Sequence, residues 1–405
     1  MAGGPPWLAI LTMVATPGRP ENAVALPKVV VCHVTTYHSP VDVRIFHKEC
    51  LALVQAGYEV HFVVPHDRDE IIQGVHIHAL PKPTGRLKRM LFWPWLAYRK
   101  VLSLRPRPVI CHFHDSELLF MGMALRLKGF KVIYDVHENV AKSIMTRYYL
   151  PRVLRVPASW CYRFLEKLLT SGIATVHVLD TIARRYREPK SVICNYPLVE
   201  GPLKPTAKKF EPPWTLIYVG GVSADRGGIR MLQLLEDLLE SGTAARLKLV
   251  GRFSPDSFRD ELIRYAEEHR ISDHVELLGR VPWERCQREI SEADLGLCLL
   301  DPTPNYTNGL PVKGFEYMAH GLPSLASNFA CYRPVFVDTH SGVLVDPLDR
   351  RAILQAAQEL LTNPRKMADM GQRGQRAVYE SLNWQSECRK LLNLYERILG
   401  SLRSV

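Results

Sequence analysis

The sequence predicts an α/β protein of two Rossmann-like domains, each a parallel, doubly wound sheet, with the two facing a central crevice. Three observations predict it. From Lys28 onward, short apolar runs alternate with stretches of helical periodicity, the pattern of strand–helix–strand units. The alternation stops at Pro197, where a proline- and lysine-rich stretch without periodicity intervenes, and it starts again at Trp214. The length, 405 residues, also exceeds what one hydrophobic core organises comfortably. The boundaries that follow are an extension over 1–27, a first domain over 28–198, a linker over 199–213, a second domain over 214–383 and a final helical segment over 384–405.

In the first domain, KVVVCHVTT reads as a buried strand because it is nearly continuous in apolar residues. Asp42 to Gln55 reads as a helix stopped by Gly57. YEVHFVV, GVHIHAL, RPVICHF, FKVIYDV and IATVHVL are further strands. The first loop lacks G-x-G-x-x-G, which weighs against a nicotinamide or flavin enzyme. His112, His114 and Asp115 fall at one strand end, and His137 with Glu138 at the next. Ligands bind at the carboxyl ends of strands in such sheets, and a neutral imidazole can bond a sugar hydroxyl while a carboxylate orients it. The same residues could be satisfied structural histidines, or ligate a metal, although no third ligand has a telling spacing. Between Gly85 and Lys100, Arg86, Lys88 and Arg89 interleave with Trp93 and Trp95, which suits an interfacial membrane segment or a core helix with snorkelling cations.

The second domain repeats the pattern with WTLIYVGG, RLKLVG, HVELLG, DLGLCLL, PSLAS and SGVLV as strands, and helices over 349–361, 365–380 and 384–400. Gly220 and Gly221 at the first strand end permit close backbone approach, and Arg226 precedes the next helix start, where phosphate is favoured. A further helix is expected with Asn308 as N-cap, Pro311 at its first position and Gly321 just past its end. At about 100° per residue, Val312, Phe315, Met318 and Ala319 share its apolar face. Lys313 and Glu316 lie on one flank, either as a surface pair or as a phosphate-binding cation and an acceptor for sugar hydroxyls.

Composition bounds the class. Hydrophobic content of 47% and charged content of 23% belong to a globular chain rather than a disordered one. No apolar run reaches the ~20 residues that a membrane span needs. A net charge of +11 favours anionic partners: nucleic acid, an anionic membrane face or phosphorylated substrates. Nothing like a nucleic-acid-binding fold accompanies the charge. The 9 cysteines are scattered, which argues against a zinc site or disulfide framework and for a reducing compartment. In 1–27 the apolar run from Trp7 to Ala15 has no Lys or Arg ahead of it, so it makes a poor secretory signal; a disordered extension is expected.

Two motifs carry a family resemblance. P-x-K-x-F-E-Y-M-x-x-G-x-P-x-x-A-S, from Pro311, resembles the donor-binding signature of family-four retaining glycosyltransferases, enzymes of the two-domain GT-B architecture. H-x-x-x-D-x-R-I-F-x-K-E, carried by His38, Asp42, Arg44, Lys48 and Glu49, resembles the opening of bacterial polysaccharide and capsule glycosyltransferases of that family. The resemblance runs from Lys28 to the C-terminus. It implies that Glu316 holds a nucleotide ribose, that Lys313 and Arg226 meet the diphosphate, and that Asn308 stands where the first glutamate of an E-x7-E pair is expected. It also implies a last helix, from Trp384, that packs back on the first domain.

The expected function is transfer of a sugar from a UDP- or GDP-linked donor to a hydroxyl of a glycan or lipid-linked glycan, with retention, without cofactor or metal, and without nucleic acid as partner. His114 and Asp115 are the expected catalytic pair, and Gly220, Gly221, Arg226, Lys313, Glu316 and Asn308 the donor site. His137, Glu138, Arg86, Lys88, Arg89, Trp93 and Trp95 are expected on the acceptor or membrane side. The protein is expected in the cytoplasm, in peripheral contact with the anionic inner face of the cytoplasmic membrane. The alternatives are a nucleotide-sugar 2-epimerase, for which His114 and Asp115 could serve in elimination, and a non-catalytic glycan-assembly subunit, which the departure at Asn308 makes plausible.

Overall fold

The apolar runs of the first half pair into one sheet in the computed structural model of the protein, which describes residues 28–83, 85–137, 139–146, 151–199, 201, 203, 210–304 and 306–400. The segment 1–27, Glu138 and most of 200–209 lie outside the described residues. The chain divides into two compact units, one built from the residues up to 200 and from 384 onward, the other from 201–383. No described helix is long and apolar enough to cross a membrane.

In the first unit the strands are β1 (Val30–Val34), β2 (Glu59–Pro65), β3 (Glu70–Ile72), β4 (Val75–Leu80), β5 (Ile110–Phe113), β6 (Lys131–Val136), β7 (Ala174–His177) and β8 (Lys190–Val192). Their order is β3-β4-β2-β1-β5-β6-β7-β8, parallel throughout except for the antiparallel β3–β4 pair at one edge. The chain builds outward from β1 through β2 and β4, then returns to the other side of β1 at β5. The loops after β1 and β5 therefore leave in opposite directions, which opens the switch-point crevice of doubly wound sheets. Parallel pairing sets His33 beside His112, so His114 and Asp115 emerge where β5 ends.

A π-helical segment, Val43–Cys50, runs into helix α1 (Leu51–Gln55) after β1. Asp42 caps it by accepting from the backbone N–H groups of Arg44 and Ile45, both at 2.9 Å. Ile45 and Phe46 are fully buried, each worth roughly 1.5–3 kcal/mol of transfer free energy. Gly57 ends the helix at a φ of 90°. Helices α2 (Arg86–Ser103), α3 (Leu119–Leu127), α4 (Val140–Thr146), α5 (Arg152–Leu169) and α6 (Asp180–Ala183) follow. The short edge strands β3 and β8 went unpredicted because three residues carry too little periodicity to register.

The second unit has six parallel strands: β9 (Trp214–Val219), β10 (Ala245–Val250), β11 (Val275–Gly279), β12 (Leu295–Cys298), β13 (Ser324–Ser327) and β14 (Gly342–Val345). Their order, β11-β10-β9-β12-β13-β14, is that of a nucleotide-binding Rossmann sheet, with its switch point between β9 and β12. Helices α7 (Gly228–Glu240), α8 (Phe258–Glu268), α9 (Trp283–Glu292), α10 (Val312–Ala319), α11 (Arg333–Phe336), α12 (Arg350–Leu361) and α13 (Pro364–Glu380) cover it. Helix α14 (Trp384–Gly400) belongs to the first unit, where Trp384, Leu391, Leu394 and Tyr395 join the core beside Ile45 and Leu53. The Trp384 N–H donates to Pro197 O at 2.8 Å and starts this return.

Candidate functional site

In the second unit, the end of β9 gathers the residues that the sequence marks as candidates for phosphate binding. Gly220 has a φ of 123°, a left-handed-side conformation that glycine alone adopts freely. A Cβ there would meet Lys313 Cε at 3.6 Å, the Tyr218 hydroxyl at 3.8 Å and Arg226 Nη1 at 3.9 Å, so two cations and a phenol surround one bare backbone. Lys313 Nζ donates to the Tyr218 hydroxyl at 2.8 Å and lies 4.0 Å from the centre of its ring. The Tyr218 hydroxyl donates in turn to Gly221 O at 2.9 Å. Arg226 Nε donates to the Tyr306 hydroxyl at 3.0 Å, and Tyr306 donates to Asp225 at 2.8 Å. Gly251 is required as well: a Cβ would stand 1.8 Å from Gly220 O, so β10 can approach β9 only without one.

Helix α10 is fastened behind this cluster by Tyr317, fully buried, which accepts from Val219 N at 3.0 Å and donates to Leu297 O at 3.3 Å. Two details differ from the sequence expectation. Pro311, not Asn308, occupies the cap position; Asn308 sits exposed in the preceding turn and donates to Pro304 O and to Thr307 Oγ1. Several residues of irregular backbone separate it from the helix, so it neither caps α10 nor reaches the cluster around Gly220 through any hydrogen bond it makes. Val312 is exposed rather than core, because the Tyr317 anchor turns Gly314, Phe315, Tyr317 and Met318 inward. Moreover, the Val312 and Gly314 N–H groups bond Leu310 O and Pro311 O, so they are spoken for as anion donors. Glu316 is half-buried one turn beyond Lys313, close enough to α9 that its charge helps raise the Cys286 thiol to about 12, after burial itself.

In the first unit the switch point holds a sealed ionic network. Asp135, at the end of β6, accepts from Arg44 Nε at 3.0 Å and Nη2 at 3.1 Å, a bidentate pair. It lies 3.3 Å from His114 Nδ1 and 3.2 Å from His137 Nε2. Burial opposes its charge, but the Arg44 guanidinium and then the two imidazoles outweigh that and hold its carboxyl well below the ordinary range. Glu49, 3.2 Å from the same guanidinium, goes the other way: burial and the nearby Asp135 charge push its carboxyl well above the ordinary range. Burial likewise lowers His114 to about 4, and His33 and His112 well below the usual imidazole value. His33 Nδ1 meets His114 Nε2 at 3.0 Å, while Tyr395 from α14 bonds both His33 and His112.

Two donor groups have ligand atoms within 4.8 Å of one another: His33, Glu49, His112 and His114, and separately His114, Asp135 and His137. Arg44 already supplies the positive charge to both carboxylates, where a metal ion would otherwise do so.

The H-x-x-x-D-x-R-I-F-x-K-E pattern is accounted for residue by residue. Asp42 caps with one carboxylate oxygen and holds His38 Nδ1 at 3.0 Å with the other. Lys48 Nζ donates to Asn195 at 2.6 Å. Asp115 accepts from the Thr35 hydroxyl at 2.8 Å, from Thr36 N at 2.5 Å and from the Thr36 hydroxyl at 3.1 Å, which anchors the loop after β1 to the end of β5.

Comparisons with known proteins follow the same halves. Residues 43–191 match the family model "Glycosyl transferase 4-like domain" and residues 202–377 match "Glycosyl transferases group 1". The chain is similar to the MMP alpha-(1->4)-mannosyltransferase of Mycolicibacterium hassiacum, 24% identical over 71% of this chain and 70% of that protein. It is 23% identical to the phosphatidyl-myo-inositol mannosyltransferase of Mycobacterium leprae, over 80% of this chain and 83% of that one. Among solved structures, sucrose-phosphate synthase from Thermosynechococcus elongatus aligns with a TM-score of 0.73 at 17% identity, over 92% of this chain and all of that one, a likeness of fold. This chain is a GT-B glycosyltransferase.

Within this glycosyltransferase, Gly220, Gly221, Arg226 and Lys313 come together at the end of β9. The expected catalytic pair is distributed differently. The His114 ring is fully enclosed behind Asp135, and Asp115 is a loop anchor. His137, 25% exposed in its side chain, and His38, 26% exposed, are the histidines of this network that reach solvent. Trp93 is a correction: it is 9% exposed, packed inward with Nε1 donating to Pro81 O at 2.7 Å, because Pro81 offers a carbonyl on the core side of α2. Arg89 is another, since Glu117 holds its guanidinium at 2.9 Å and the ring of Tyr37 lies under it at 4.7 Å. Lys88 and Trp95 are exposed, whereas the Arg86 side chain and Glu138 lie outside what is described. Sequence reasoning placed neither Asp135 nor Arg44 in the site; the R-I-F-x-K-E motif was the available signal, and the acid it pairs with lies 91 residues away.

Proposed function

We propose that this glycosyltransferase moves a hexose, mannose before others, from a UDP- or GDP-linked donor to a hydroxyl of a glycan or lipid-linked glycan, with retention, and without cofactor or metal. The observation that carries the reading is the convergence of Lys313, Arg226 and the Tyr218 hydroxyl on the bare backbone of Gly220. As the bond between the anomeric carbon and the phosphate oxygen breaks, its electron pair passes to the departing diphosphate. Two cations held by neutral oxygens at a strand end stabilise that charge where it grows. They supply what a bound divalent ion would supply elsewhere. Glu316, on the same helix as Lys313, accepts from the ribose hydroxyls. In the first unit, Asp135 fixes the His137 ring through Nε2, which leaves Nδ1 to bond a sugar hydroxyl.

Mannose and a lipid-linked acceptor are supported by the two mannosyltransferases that the chain resembles, one of which is named for phosphatidyl-myo-inositol. Retention is supported by the family resemblance. A lipid-linked acceptor sets the enzyme in the cytoplasm, as a peripheral protein at the anionic membrane face. A nucleotide-release assay against a panel of UDP- and GDP-sugars, with and without a membrane extract, tests this reading. Acceptor-dependent release supports transfer. Interconversion of nucleotide sugars without acceptor means an epimerase, and neither outcome means a binding subunit.

A further inference from the structure

Helix α5 is built inside out. Val153 is 82% exposed, Trp160 70%, Phe164 69% and Leu168 56%, and at about 100° per residue these side chains form one outward stripe along the helix. Its inward face sends Leu169 into the core but otherwise buries polar groups. Ser159 is buried and donates to Ala141 O at 2.7 Å, and Glu166 is buried and accepts from the Tyr162 hydroxyl at 3.1 Å. A helix that hides its hydroxyl and carboxylate while presenting tryptophan and phenylalanine is arranged for an apolar partner. The stripe is flanked by Arg152, Arg163 and Lys167, all exposed, with the Arg163 guanidinium 6.0 Å over the Trp160 ring. Glu166 is the helix's single acidic residue, and its burial leaves the exposed face with cations alone.

We propose that α5 lies on an anionic phospholipid bilayer, with Trp160, Phe164 and Leu168 among the acyl chains and Arg152, Arg163 and Lys167 on the lipid phosphates. The charge decides the occupant. An apolar stripe with a basic border fits an interface whose interior is hydrocarbon and whose rim is anionic. A second copy of this chain would set the same cations against each other, and an acidic nucleic acid has no use for four exposed apolar side chains. Helices α2 and α3 pack in turn beside α5, and Phe120 on α3 and Phe92 and Trp95 on α2 are also exposed, so the apolar surface continues along the helical layer. The inference rests on the lipid-linked-acceptor reading only for its purpose. Docking itself needs no catalysis and is measured without a sugar donor.

The test is co-sedimentation with vesicles of mixed phosphatidylcholine and phosphatidylglycerol, against vesicles of phosphatidylcholine alone, at low and high salt. The parent is expected to pellet with the anionic vesicles and to be released by salt. Replacing Arg152, Arg163 and Lys167 together with glutamine should weaken partitioning about 100-fold, at roughly a factor of five per charge near the surface. Trp160→Ser with Phe164→Ser should abolish pelleting at any salt, while Met90→Ser with Phe92→Ser on α2 should retain most of it. The exposed position of all these side chains keeps folding out of the result, and an unchanged melting temperature verifies that. Parent protein that stays in the supernatant, or an α5 double variant that pellets like the parent, overturns the proposal. So does a parent dimer that the α5 variant converts to monomer, which would make the stripe a contact between copies. If acceptor-dependent nucleotide release with the membrane extract fails in the parent while vesicle binding holds, the functional reading fails and the docking surface stands.

Discussion

The two units place comparable clusters at comparable positions, the switch points of their sheets, and treat charge in opposite ways. In the first unit, Arg44 faces Asp135 and Glu49, burial pushes the Glu49 carboxyl up and the three inner histidines down, and the network closes on itself. In the second, Lys313 and Arg226 are bonded to tyrosine hydroxyls and a carbonyl, groups that orient a cation without neutralising it. A compensated charge is scaffold, whereas a cation held by neutral oxygens keeps its field for an incoming anion. The comparison fits rigidity for the first cluster and, on the proposed function, electrostatic work on a leaving diphosphate for the second.

Four substitutions test that division. Arg44→Met should be the most damaging, because it strands the Asp135 charge in the interior; a loss of about 3–5 kcal/mol of stability is expected in denaturant unfolding. If the protein unfolds at nearly the parent midpoint, the network is not scaffold. Lys313→Ala should leave stability close to the parent and lower kcat roughly 100-fold, as loss of one charge-stabilising donor does; unchanged kcat in steady-state assays would move the diphosphate elsewhere. Glu316→Gln should raise the donor KM by the equivalent of about 1.5–3 kcal/mol with kcat little altered, since ribose contacts serve ground and transition states alike. A fall in kcat instead would place Glu316 at the reacting sugar.

The smallest effect is a pH dependence at His38. Burial alone would lower its pKa, but the hydrogen bond and charge of Asp42 outweigh that and raise it, while His38 in turn helps hold Asp42 low. A raised histidine contributes stability that is fully present below its unfolded value of about 6.5 and is lost as pH climbs through the folded value. The depressed Asp42 contributes stability present above about 3.9 and lost as pH falls through its folded value. The pair therefore helps between those limits. Compared with His38→Gln, the parent should show an extra decline of under about 1 kcal/mol as pH rises past the histidine range, measured as melting temperature against pH. Parallel curves for the two proteins would show that His38 is not charged in the fold.

Much of the fold was legible in the chain. Strands such as Val30–Val34 and Trp214–Val219 are buried on both faces and so read as unbroken apolar runs, and Gly57 and Gly321, both with positive φ, ended their helices where expected. The glycine and lysine signals of the second unit were also local: Gly220, Gly221 and Arg226 lie within one loop, and a single helix presents Lys313 and Glu316. What only the tertiary structure decided is whatever depends on partners distant in sequence. His114 looks like an accessible strand-end ligand until Asp135 and His33 close over it, and Arg44 has no evident acid until β6 is laid two strands from β1. In the basic stretch from Gly85 to Lys100, composition could not say which tryptophan turns inward: Trp93 and Trp95 differ by two positions, hence by about 200° around the helix, and only the packing of α2 fixed Trp93 against Pro81. Periodicity states that a helix has two faces, but the neighbours it packs against determine which one is buried, and that is why the outward apolar stripe of α5 could be seen only in the folded protein.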